Sequence, residues 1–327
     1  MRTVVIGAAG HIGNAITRAL LQRKYKVTAC GRRKKLPVNL ARLSVDYVSG
    51  DARSAGQFDR WIRGHDIVID AAAPYPLEVY SVAHTHRDDP LLSAERRTRE
   101  LLKAVSNHDA SLIYIGSFVT MARPQTDGHR MWERMFKLAH PYFQVKELIE
   151  SQILDARRFG IRAAIVNPST CYGPWDLRDR SLCTVPLVLS REIPSTITQK
   201  LNVVDVRDVA LAVLKLIDQE RYGSPLFVGG HDLSVRELYS LICQIGGVPA
   251  PAYSTDARLA MLGTYWMELA FSAIGREPPL LAGGMMMAAA FDYDLPASAL
   301  AELGVVPRAL AETIADSIKW YRKIGYC

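Results

Sequence analysis

Three side chains set the chemical question. Ser117 closes an apolar run, Tyr142 follows it by 25 residues, and Lys146 stands four further on in "HPYFQVKELIE" (140–150). A phenol one helical turn from an ammonium can give or take a proton, and a nearby hydroxyl can hold an oxygen on which negative charge develops. The Y-x-x-x-K spacing is weak by itself, because 14 Tyr and 11 Lys in 327 residues yield roughly 0.5 matches by chance. Its weight depends on what positions it.

The first apolar run passes directly into "GAAGHIG", with Gly7, Gly10 and Gly13 at a strand-to-helix turn. Missing side chains there let backbone N–H groups at a helix N-terminus approach a pyrophosphate, and the last glycine lets helix and strand pack closely. His11 and Ile12 lie inside the loop and share the expected dinucleotide site. An NAD-specific site usually carries an acid about 20 residues further on, for the ribose hydroxyls. Here the chain reads "CGRRKK", and Arg32 and Arg33 are suited to a 2′-phosphate, so NADP(H) is favoured over NAD(H).

A nicotinamide next to Tyr142 gives the trio its task. Hydride exchange with a carbonyl needs a proton partner for the alkoxide, and a phenol of ordinary pKa about 10 is a poor one near neutrality. Lowering that pKa by ~3 units corresponds to ~4 kcal/mol, which the Lys146 ammonium and an oxidised nicotinamide supply together. Ser117 donates a hydrogen bond to the substrate oxygen in this scheme.

Strand-length apolar runs at 3–8, 26–30, 66–72, 111–117 and 162–168 alternate with helical stretches at 12–24, 91–107 and 143–158. Runs apolar at nearly every position belong to a parallel sheet covered on both faces, so the pattern predicts an α/β, doubly wound Rossmann sheet with a smaller C-terminal lobe. In such sheets ligands lie beyond the carboxyl ends of the strands, where the glycine loop and Ser117 both fall. A strand at 201–206 and a helix at 207–219 resume the alternation; helices at 234–246 and 307–324 and a Met-rich apolar stretch at 259–291 follow. The expected division is 1–167 plus 198–228 for the NADP-binding unit, and 168–197 plus 229–327 for a substrate lobe.

Charge and cysteine usage narrow the function classes. The net charge of +7 is dispersed, with only "GRRKK" and "AERRTRE" as short basic runs, so nucleic acid is not an expected partner. Five scattered cysteines without C-x-x-C spacing predict neither a disulfide framework nor a zinc site and fit a reducing, cytoplasmic location. His84 and His86 lack a third ligand at convincing spacing, so no metal is expected. Glycines interrupt the first apolar run too early for a signal sequence, and no stretch reaches the ~18 apolar residues of a spanning helix.

With these residues in place, the chain resembles the extended short-chain dehydrogenase/reductases. The likeness runs through "GAAGHIG", "VSGDAR", "DAAAP", Ser117, Tyr142 and Lys146, "NPSTCYGP" and "LNVVDVRDVA". Within them it is most similar to the dihydroflavonol-reductase-like and hopanoid-associated sugar epimerase group, through "IVNPSTCYGPWD", "FVGGHDLSVRELYSLI" and "ALAETIADSIKWYRKIGY". The resemblance implies that Asp51, with Ala52, meets the adenine; that Ala71, Ala72 and Ala73 border the riboses; that Lys146 also bonds the nicotinamide ribose; and that the segment from Pro168 through Thr170 contacts the nicotinamide. It also implies a homodimer through the 91–107 and 143–158 helices.

Three departures stand out. "AERRT" (94–98) replaces the common N-V-x-G-T, Gly116 replaces the first of two paired serines, and "SFVTMA" lacks the Asp-Glu pair usual in nucleotide-sugar dehydratases, which disfavours dehydration. Asn167 reads equally as a sugar or diphosphate contact and as a turn residue before Pro168. Met and aromatic side chains of the C-terminal third suit a lipophilic small molecule of terpenoid, steroid-like or polyketide kind. The leading expectation is therefore a carbonyl/alcohol oxidoreductase; the alternatives are an epimerase that retains its cofactor and a catalytically silent NADP-binding regulator.

Overall fold

The computed structural model describes residues 1–74, 89–121, 123–124, 141–276 and 293–327. Seven parallel strands form the main sheet: β1 (Arg2–Ile6), β2 (Lys26–Gly31), β3 (Asp46–Ser49), β4 (Ile67–Asp70), β5 (Ser111–Ile115), β6 (Ala163–Pro168) and β7 (Leu226–Val228), in the order β7-β6-β5-β4-β1-β2-β3. The order reverses between β1 and β4, which opens a crevice above their carboxyl ends. Val, Ile and Leu fill the central strands, and every residue of β4, β5 and β6 is buried.

Helices cover both faces, as the unbroken apolar runs require. On one face α1 (His11–Gln22) packs with α5 (Val206–Asp218) around Ile16, Leu20, Val209 and Val213. On the other, α2 (Gln57–Ile62), α3 (Pro90–Asn107) and α4 (Pro141–Arg158) pack around Phe58, Leu101, Val145 and Ile149. The Asp89 carboxylate accepts from the N–H groups of Leu91 and Leu92 while Pro90 takes the first helical position, and these two signals fix where α3 begins.

Two elements differ from the sequence-based expectation. The strand expected at 201–206 is Lys200–Asp205 and lies outside the main sheet, parallel to Thr170–Tyr172 and antiparallel to His231–Ser234. Its helix α5 and the following β7 nevertheless belong to the large layer. The edge strand β3 carries no apolar run, because solvent reaches most of it.

A separate core joins Tyr172, Val185 and Leu238 to Ile314, Ile318 and Tyr321, drawing α6 (Val235–Gly246) and α8 (Leu310–Lys323) together. Between them in sequence, α7 (Ala257–Ala273) carries the first part of the apolar stretch of the C-terminal third. The remaining Met-rich residues, 277–292, lie outside the described residues, as do His84 and His86.

Candidate active site

The glycine loop is shaped by contacts that leave no room for side chains. Gly7 has φ +84°, and a Cβ added there would meet the Ala71 carbonyl oxygen at 2.7 Å and Ala72 Cβ at 2.9 Å. At Gly13 a Cβ would lie 2.2 Å from the Gly7 carbonyl oxygen, while Gly10 is less crowded, at 3.2 Å from the same atom. No side chain caps Gly10, and the first turn of α1 carries no acid, so its backbone N–H groups face the crevice without a competing anion. These residues fit a dinucleotide pyrophosphate.

A scaffold invisible to motif reading holds this loop. Asn39 donates to the Ala9 carbonyl at 2.9 Å, and Arg18 donates to the Asn14 side chain at 2.8 Å and to the Asn39 carbonyl at 2.9 Å. His11 is buried, and burial lowers its pKa against the opposing pull of Asp176. Ile12 is half-buried and packs on the α1 core.

At the end of β2, Arg32 and Arg33 are exposed, and among the described residues neither forms an ion pair. Tyr47 donates to the Arg33 carbonyl at 2.7 Å, which anchors the backbone and leaves both guanidinium groups outside. The Asp51 carboxylate accepts from Arg53 at 2.7 Å, and that hydrogen bond lowers its pKa. Ala52, Ala71, Ala72 and Ala73 are half-buried, and Ala71 and Ala72 lie against Gly7. Pro168 ends β6, and Thr170 opens the short strand paired with Val203.

The structure brings Ser117, Tyr142 and Lys146 together. Tyr142 donates to Ser117 Oγ at 3.0 Å, and Lys146 Nζ lies 5.9 Å from the centre of the Tyr142 ring. All three are buried, and desolvation lowers the Lys146 pKa to about 8, opposed by the Asp70 carboxylate and aided by the Arg97 guanidinium. The trio can therefore transfer a proton and hold a developing oxyanion at one point.

Asn167 serves neither of the two roles open to it in the sequence. Its Oδ1 accepts from the Ser117 backbone N–H at 2.9 Å, and its Nδ2 donates to Thr120 Oγ1 at 3.1 Å and Glu150 Oε2 at 3.0 Å. It is fully buried and holds the Ser117 turn, with no face left for a sugar. Glu150 lies two helical turns from Tyr142 on α4, so one helix face carries Tyr142, Lys146 and the anchor of the serine turn. Its position at Lys146 plus four was the signal in the sequence.

The glycine at 116 follows from the same network. A Cβ there would sit 2.1 Å from Asn167 Oδ1, inside the hydrogen bond that positions Ser117. Replacing Gly116 by Ala is expected to destabilise the protein by about 1–3 kcal/mol, through overpacking beside a buried amide, in a denaturant melt.

The sequence model of the NAD dependent epimerase/dehydratase family matches residues 3–229. The chain belongs to that family. It is an NAD(P)-dependent enzyme of the extended short-chain dehydrogenase/reductase type. It is 28% identical to the "Putative dihydroflavonol 4-reductase" of Synechocystis sp., over 98% of this chain and 95% of that protein. It is 24% identical to the "Sterol demethylase protein B" of Methylococcus capsulatus, over 99% of each. Its fold is similar to the crystal structure of a nucleoside-diphosphate-sugar epimerase from Pseudomonas aeruginosa, with a TM-score of 0.73, 21% identity, and coverage of 100% of this chain and 99% of that one. Among the described residues, no helix is long and apolar enough to cross a membrane.

Proposed function

We propose that this family member is an NADP-dependent oxidoreductase that interconverts a carbonyl and an alcohol on a small lipophilic molecule. The observation that carries the reading is the 3.0 Å hydrogen bond from Tyr142 to Ser117 Oγ in the crevice, with Lys146 buried one turn along the same helix.

The unit 1–167 plus 198–228 binds the cofactor, and 168–197 plus 229–327 supplies the substrate side. The glycine loop, Arg32, Arg33, Asp51 and the Ala71–Ala73 turn hold NADP(H), which supplies or takes up hydride when bound. Ser117 donates to the substrate oxygen and fixes its distance from the phenol. Tyr142 gives its proton to that oxygen in reduction and takes one in oxidation. Lys146 stays close enough for its positive charge to favour phenolate and bonds the nicotinamide ribose.

A lipophilic substrate is supported by the named relatives, a flavonol-type reductase and a sterol-demethylation protein, and by α7. That helix presents Leu259, Leu262 and Trp266 outward and carries one acidic residue, the buried Glu268. The second reading, an epimerase that retains its cofactor, rests on the family's name and predicts no net cofactor consumption.

The decisive measurement is NADPH absorbance with a panel of cyclic ketones and nucleotide sugars. One NADPH lost per ketone reduced is expected; product formation without NADPH loss would establish the epimerase instead. Replacing Arg32 and Arg33 together by Ala is expected to raise KM for NADPH by about tenfold or more while changing KM for NADH by less than about twofold, because only the former carries the 2′-phosphate.

A further inference from the structure

At the end of β4, Asp70 interrupts an apolar strand and is completely buried. Arg97 of α3 meets it with two hydrogen bonds, Nη1 to Oδ2 at 2.9 Å and Nη2 to Oδ1 at 2.7 Å. The guanidinium is itself buried and stacks 5.2 Å from the centre of the Phe58 ring. Both partners are buried, so the pair belongs to the core between β4 and α3.

What the pair touches gives it a role. Asp70 Oδ1 also accepts from the Ala72 backbone N–H at 3.1 Å. Ala71 and Ala72 are the residues that a Cβ on Gly7 would strike, so this turn and the glycine loop form the two closest walls of the cofactor crevice. Asp70 is thus the link between α3 and that wall. The fork of Arg97 satisfies both oxygens of a carboxylate taken wholly out of water.

We propose that Arg97 is a positioning residue for cofactor binding, acting through Asp70 to hold the Ala71–Ala72 turn against the glycine loop. The inference rests on the reading that this crevice binds NADP(H). Lys146 reports on the same cluster: it is faced by Asp70 from β4, Arg97 from α3 and Tyr142 from its own helix, and Tyr114 of β5 lies within the influence of Asp70, Arg97 and Glu150. Asp70 favours its charged form and Arg97 disfavours it, with burial the larger influence.

The test is direct binding of NADPH to the full chain, followed by its fluorescence between pH 6 and 10, with melting temperature measured in parallel. Wild-type binding establishes the crevice; failure there would sink the underlying reading, not this proposal alone. With wild-type binding in hand, the double variant Asp70→Asn/Arg97→Met, which leaves no unpaired buried charge, is expected to bind NADPH about tenfold more weakly. Arg97→Lys keeps the charge but loses the fork, and is expected to weaken binding while leaving the alkaline midpoint of binding in place.

Burial lowers the Lys146 pKa to about 8, so its ammonium is expected to be lost as pH rises through that value and NADPH affinity to fall with it. Arg97→Met leaves Asp70 unopposed and moves that midpoint up; Asp70→Asn moves it down. A general loosening of the fold has no reason to move the two in opposite directions. Wild-type affinity in the double variant and in Arg97→Lys would overturn the proposal, as would single variants that fold but leave the midpoint unmoved.

Discussion

Replacing Tyr142 by Phe is expected to lower kcat by about 10²–10⁴-fold while leaving the affinity for NADP(H) within about twofold of wild type. The Tyr142 ring packs edge-on against Phe143, with centres 5.6 Å apart and planes at 85°, and Phe fills the same space. The change removes one hydroxyl and its bond to Ser117, so stability is expected to fall by about 1 kcal/mol. Steady-state kinetics beside NADPH titration separate the two quantities. Full turnover on an identified substrate would rule Tyr142 out as the proton carrier. Lys146→Met, by contrast, removes a charge that the proposal gives two tasks, and belongs to a different experiment.

Replacing Gly13 by Ala is expected to have the second large effect. The new methyl would lie 2.2 Å from the Gly7 carbonyl oxygen and 2.8 Å from its carbonyl carbon. Both are backbone atoms, so no rotamer change relieves the clash, and α1 must move away from β1. Overpacking of this kind costs about 1–3 kcal/mol. The larger consequence falls on binding, because the N–H groups of the α1 first turn move with the helix. Loss of NADPH affinity by about 10²-fold is expected by fluorescence titration, since shifts near 1 Å at a positioned site have that size. Gly10, with its nearest neighbour at 3.2 Å, is expected to tolerate Ala better.

The large sheet was readable in the sequence because β1, β4, β5 and β6 are buried along nearly their whole length and therefore apolar at successive positions. β3 was not, since an exposed edge strand has no such run to display. The stretch at 200–205 announced a strand but not its sheet: Val203 and Val204 are fully buried, as in the main sheet, and it is pairing with Thr170–Tyr172 on one side and His231–Ser234 on the other that places the strand elsewhere. Chain-distant partners are what a one-dimensional pattern omits.

The site divides in the same way. Spacing pointed to Ser117, Tyr142 and Lys146, whose separations are set by one strand end and one helix. Asn167 remained ambiguous because its partners come from two chain-distant segments, the turn of Ser117 and Thr120 and the helix of Glu150. In the sequence Arg97 is one of three arginines in "AERRTRE", and Asp70 is a single polar residue at the end of an apolar run. Their meaning is joint, and 27 residues separate them. "AERRT" thus supplies one half of a buried ion pair whose other half lies on a different element.

One face of α4 carries Tyr142, Lys146 and Glu150 at intervals of four, so the three share a common phase. Substitutions elsewhere on the helix leave that phase alone. A single-residue insertion between 142 and 150 rotates everything beyond it by about 100° and advances it by about 1.5 Å. Glu150 would leave Asn167, and Lys146 or Tyr142 would leave the crevice, according to which side the insertion fell. Descendants of this gene can therefore drift in residue identity along α4, but not in its length within those nine positions.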